Sequence, residues 1–114
     1  MKILHNPRCS KSRQTLKLIQ DAGVDPDIVD YLKSPPSQSE IDRILKLLDM
    51  NPGELMRKQE AVYKELGIAN GTHSRRELIK ILVENPVLME RPIVVTESQA
   101  VIGRPPENVN ELLP

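Results

Sequence analysis

The chain contains no phenylalanine and no tryptophan, two tyrosines, two histidines and one cysteine. Leu, Ile and Val must therefore fill its core. A single cysteine excludes any internal disulfide, and a metal site would need more Cys or His ligands than this chain offers near one another. Net charge is also missing: sixteen basic and sixteen acidic residues cancel, so the molecule offers no general attraction to nucleic acid or to an anionic membrane. Any anion site must be local. No stretch approaches the roughly 18 apolar residues of a membrane span, and the opening MKILHNPRC has no signal-peptide apolar segment. A cytoplasmic location is expected, where a lone thiol stays reduced. There is no Gly-rich phosphate loop, no internal repeat and no low-complexity linker.

What is present fits one domain spanning residues 1–114, a length that buries about two thirds of the unfolded surface. Lys2 to His5 predicts a strand ended by Asn6-Pro7, because proline holds the preceding residue extended. Thr15, Leu16, Leu18, Ile19 and Ala22 have helical spacing, and Gly23 stands where a helix C-cap would sit. Asp27 to Leu32 predicts a second strand. Ser37-Gln38-Ser39-Glu40 predicts a capping box opening a helix through Ile41, Ile44, Leu45 and Leu48. A short helix over Pro52–Lys58, a turn at Tyr63–Leu66 and a helix over Ser74–Val83 follow. Ile93–Thr96 and Ala100–Ile102 predict a hairpin, and Pro105–Leu113 a closing helix. This order predicts an α/β fold, a thioredoxin/glutaredoxin-like mixed sheet with an inserted helical segment at about 37–86.

The chemistry concentrates at Cys9, between a strand end and a helix start, in His5-Asn6-Pro7-Arg8-Cys9-Ser10-Lys11-Ser12-Arg13. Uncommitted backbone N–H groups at a helix N-terminus stabilise a thiolate or a bound oxyanion. Arg8, Lys11 and Arg13 add positive charge, and both effects lower a thiol pKa from about 8.5. Buried structural cysteines sit in apolar runs, which this one does not. His5 is placed to set a positive or polar group near the sulfur, although most lone histidines at strand ends play no such part. His73 has no partner in sequence.

Spacing separates the possible uses of this thiol. A low-molecular-weight tyrosine phosphatase loop needs five residues between Cys and Arg; here three intervene before Arg13. A dithiol oxidoreductase needs Cys-x-x-Cys, and Ser12 fills the second place. What remains is a monothiol that depends on an outside thiol.

His5-Asn6-Pro7-x-Cys9-x-x-Ser12-Arg13-x-Thr15-Leu16 resembles the active-site signature of the glutaredoxin-coupled arsenate reductases. Leu55-Met56-Arg57-Lys58, Asn85-Pro86 through Arg91-Pro92-Ile93-Val94-Val95 and Gly103-Arg104-Pro105 are similar to that family's three arginine-bearing segments, in the same order. The resemblance implies that Cys9 is the nucleophile, that His5 helps keep it ionised, and that Arg57, Arg91 and Arg104 bind and polarise arsenate. Ser12 and Arg13 would support the loop. Pro92 would be the cis proline beside the active site. Arsenate, glutathione and glutaredoxin are the implied partners, with glutathione a co-substrate and no bound cofactor or metal. Guanidinium groups suit an oxyanion because they are always charged and pair with oxygens bidentately. Taken singly, Arg57 also reads as the exposed face of a short helix and Arg104 as a turn residue. Ser10-Lys11 departs from the smaller Gly-Thr pair of other members.

Two rivals share the fold. A glutathione-dependent thiol reductase that does not act on arsenate would keep Cys9 but tends to lack the full arginine set. A regulator of the Spx type, which contacts RNA polymerase, usually begins with Cys-x-x-Cys and lacks His-Asn-Pro; Ser12 and His5 argue against it.

Overall fold

The computed structural model describes residues 1–114, which form two compact units: Met1–Ser34 together with Arg91–Pro114, and Pro35–Glu90. In sequence the second unit falls between the two segments of the first.

The first unit is built on β1 (Lys2–His5), α1 (Ser10–Asp21), β2 (Asp27–Asp30), β3 (Ile93–Val95) and β4 (Ala100–Ile102), closed by a 3-10 segment at Pro106–Leu112. The sheet order is β2-β1-β3-β4. β1 runs parallel to β2 and antiparallel to β3, and β3 pairs antiparallel with β4. This is the expected thioredoxin-like mixed sheet. Side chains alternate between faces along a strand, so Ile3 and His5 of β1 share one face. Ile3 and its partner Val94 meet Ile19 of α1 and Val109 of the closing segment in a fully buried cluster. His5 therefore points to the side that α1 covers.

α1 stops through backbone geometry. Gly23 takes φ +82°, a left-handed conformation that costs glycine no Cβ clash. It lets Gly23 N donate to Gln20 O at 2.9 Å and Val24 N to Ile19 O at 3.3 Å, a Schellman pattern that satisfies two terminal carbonyls. Val24 then packs on the core cluster.

In the second unit, α2 (Gln38–Leu48) is opened by Ser37, whose side chain accepts from Glu40 N. α3 (Ala61–Glu65) and α4 (Arg75–Glu84) follow. α4 carries a full capping box that the sequence reading did not single out: Ser74 Oγ accepts from Glu77 N at 3.1 Å and Glu77 Oε1 from Ser74 N at 3.0 Å. Ile41, Ile44 and Leu45 of α2 and Ile79 and Leu82 of α4 are buried.

Three expectations are corrected. β2 ends at Asp30 rather than Leu32, because Lys33 and Ser34 N–H groups turn back to Asp30 O. Pro52–Lys58 is not a helix: a 3-10 turn covers Pro52–Leu55, and Met56 then pairs with Met89 in an isolated antiparallel bridge. Arg57 N donates to Leu88 O at 2.7 Å and Glu90 N to Leu55 O at 2.8 Å, so Arg57 directly follows the extended Met56 and is tied to the Leu88 backbone. The closing segment is 3-10 rather than α-helical. No helix is long and apolar enough to cross a membrane.

Ile19 is fully buried, so Ile19→Ala should leave a cavity and lower unfolding free energy in urea by about 2–5 kcal/mol. A loss under about 1 kcal/mol would contradict this core assignment.

Candidate active site

Cys9 is the N-cap of α1, with extended backbone at φ −92° and ψ 123°. The loop before it is fixed by short-range bonds. Cys9 N donates to Asn6 O at 3.0 Å, and Arg8 N to Asn6 Oδ1 at 3.0 Å. Arg13, one turn into the helix, reaches back to donate to Pro7 O at 3.0 Å. Arg13 thus braces the loop with its guanidinium.

The sulfur is half-buried. It closes no capping hydrogen bond of its own, yet the backbone N–H groups of Ser12 and Lys11 face it. Burial pushes the Cys9 thiol up, but those N–H groups and the adjacent Arg91 guanidinium pull it down further, so the thiol lies below its ordinary value. The two backbone donors have no side-chain signature. Only the position of Cys9 before a helical pattern could have pointed to them.

Arg104 Nη1 stands 3.8 Å from Cys9 Sγ and 3.3 Å from Arg91 O. Arg91 and Arg104 each precede a cis proline, Pro92 and Pro105. The distances bring two guanidinium groups from one end of the β3–β4 hairpin to the thiol, although the chain separates them from it by more than eighty residues. Arg57 belongs to the second unit. There it pairs with Glu60 Oε1 at 3.0 Å and donates to Val87 O at 3.4 Å.

His5 is hydrogen-bonded to Ser12. Its Nδ1 is 2.6 Å from Ser12 Oγ, and the same hydroxyl accepts from Asn6 N at 3.0 Å. Ser12 is fully buried and His5 nearly so. Burial holds the imidazole below its ordinary value, Asp30 opposite it on β2 pulls the other way, and Arg13 adds to the lowering. These surroundings favour the neutral imidazole over the charged one. A neutral ring can accept the Ser12 O–H at Nδ1, which ties the end of β1 to the first turn of α1. No three His, Cys, Asp or Glu side chains gather as a metal site would require.

Known proteins are similar to this chain over nearly its whole length. Residues 4–112 match the ArsC family. An arsenate reductase of Haemophilus influenzae is 44% identical over 112 residues, covering 97% of each chain. An uncharacterised Escherichia coli K12 protein, YfgD, is 52% identical over 114 residues, covering 99% of this chain and 96% of that one. The solved arsenate reductase from Vibrio cholerae superposes with a TM-score of 0.93 at 44% identity, covering 98% of this chain and 96% of the other.

The Arg91 charge and the helix N–H groups favour the thiolate, so Cys9 should titrate below the roughly 8.5 of a free thiol. Thiolate absorbance against pH should show this, and Arg91→Ala should move the midpoint up while Arg91→Lys restores part of the shift. A wild-type midpoint at or above the free value would contradict the electrostatic account.

Proposed function

The chain belongs to the ArsC family, and from that premise we propose that it reduces arsenate to arsenite, with Cys9 as nucleophile and glutathione and glutaredoxin as the electron source. The observation that carries the reading is the Arg104 guanidinium 3.8 Å from the Cys9 sulfur, with Arg91 beside it. An anionic substrate and a thiolate repel each other. Guanidinium groups against the substrate oxygens remove that barrier and hold the arsenic in line with the sulfur.

In this reading the Cys9 thiolate attacks arsenic, and one oxygen leaves as water to give a cysteine thioarsenate. Glutathione then adds its own sulfur to the arsenic. Joining of the two sulfurs returns two electrons to arsenic, releasing arsenite and leaving a disulfide between Cys9 and glutathione. In sum, arsenate and two thiols give arsenite, one disulfide and one water. A glutaredoxin thiol takes the glutathione from Cys9 and regenerates the free enzyme. The outside thiols are required because the chain has no second cysteine. The family resemblance adds Arg57 as a third oxyanion ligand and Ser12 and Arg13 as support.

With glutathione and glutaredoxin supplied, the purified protein should oxidise glutathione in an arsenate-dependent way. Cys9→Ser should abolish turnover, and Arg104→Ala should lower kcat/KM by about 10²- to 10³-fold, as loss of one oxyanion donor does elsewhere. Absence of arsenate turnover by the wild type would overturn the substrate assignment.

A further inference from the structure

The last strand leads into Ile102-Gly103-Arg104, and each of these three backbone carbonyls faces a side-chain donor. Asn108 Nδ2 donates to Ile102 O at 3.1 Å and to Arg104 O at 3.1 Å. An amide nitrogen carries two hydrogens, so one side chain satisfies both carbonyls, and only the nitrogen of the amide can face them. Between them, Gly103 O lies 3.4 Å from Thr15 Oγ1, whose single proton it shares with the nearer Lys11 O at 2.8 Å inside α1. Gly103 N donates to Pro92 O at 3.0 Å.

The approach of this segment to α1 is as close as a backbone allows. A Cβ on Gly103 would overlap Thr15 Oγ1 and fall 3.0 Å from Thr15 Cγ2 and 2.9 Å from Pro92 Cγ. Those contacts are too short to persist. Thr15 is itself fully buried. It lies on the helix whose N-cap is Cys9, and Gly103 immediately precedes Arg104.

We propose that Asn108 and Thr15 are positioning residues that clamp the backbone at Ile102–Arg104 from two sides and so set the distance between the Arg104 guanidinium and the Cys9 sulfur. Asn108 holds the segment from the closing 3-10 turn, and Thr15 holds it from α1, with Gly103 as the residue small enough to fit between. Both side chains bond the backbone at Ile102–Arg104, so their effect on the sulfur passes through Arg104. The inference deepens the proposed arsenate reaction, since it assigns what aligns one of its oxyanion ligands. The clamp itself is a statement about charge placement at Cys9.

It is therefore tested without arsenate. The ratio of Cys9 alkylation rates by anionic iodoacetate and neutral iodoacetamide reads the positive charge beside the sulfur. Asn108→Leu, which removes both donors at similar size, should lower that ratio about two- to fivefold, the change expected when one unit charge retreats by a few ångströms near a surface. Thr15→Val, the same shape without the hydroxyl, should lower it in the same direction. In an Arg104→Ala background neither change should lower it further, because coupled residues are not additive. An unchanged ratio in both folded variants, or a full effect persisting without Arg104, would overturn the clamp. Measured beside these, the arsenate KM should rise in Asn108→Leu. If the wild type turns over no arsenate, the substrate reading fails while the alkylation ratios still decide the clamp.

Discussion

The proposed reaction needs a negative charge on the Cys9 sulfur beside an anionic substrate, and the first unit carries the groups that would hold it there. Burial alone would push the thiol up and leave it protonated. The N–H groups of Ser12 and Lys11 at the start of α1, and the Arg91 and Arg104 guanidinium groups from the hairpin, supply opposing positive charge. Backbone and side chain contribute differently. The helix donors come with the fold and survive any substitution that keeps α1, whereas the guanidinium groups depend on where β3 and β4 end.

That dependence explains why so much of the surrounding structure braces two places. The strand end and the helix start are tied by His5, Ser12 and Asn6, and the loop between them by Arg13 on the Pro7 carbonyl. The hairpin end is fixed to the sheet by Gly103 N on Pro92 O. A misplacement of about 1 Å between nucleophile and ligand can cost about a hundredfold in rate, so rigid supports on both sides have a direct chemical consequence. A neutral histidine suits this bracing role. A charged one would have to be buried beside Arg13.

Much of this was legible in the sequence, for local reasons. The Asn6-Pro7 break, the helical spacing after Ser10 and the Gly23 stop all act within a few residues, and each matches the structure. The hairpin was equally visible from two short apolar runs. What sequence could not supply was long-range. Arg57 reads as helical from its neighbours, yet it directly follows the extended Met56, which bridges to Met89. The hydrogen bond of His5 to Ser12, across seven residues, depends on how β1 and α1 are set against each other and has no mark in the sequence. The contact of Thr15 with Gly103, 88 residues apart, has no local signature at all. The arginines were picked out by resemblance, and the geometry adds a reason for two of them.

The central claim is that Cys9 becomes an electrophile's partner only when an oxyanion is present, after which glutathione joins it. Peptide mass spectrometry of the protein incubated with arsenate and reduced glutathione, without glutaredoxin, tests this most directly. The account predicts one glutathione on the peptide containing Cys9, formed only with arsenate and released on adding glutaredoxin. A peptide that stays unmodified, or one modified equally without arsenate, would contradict it.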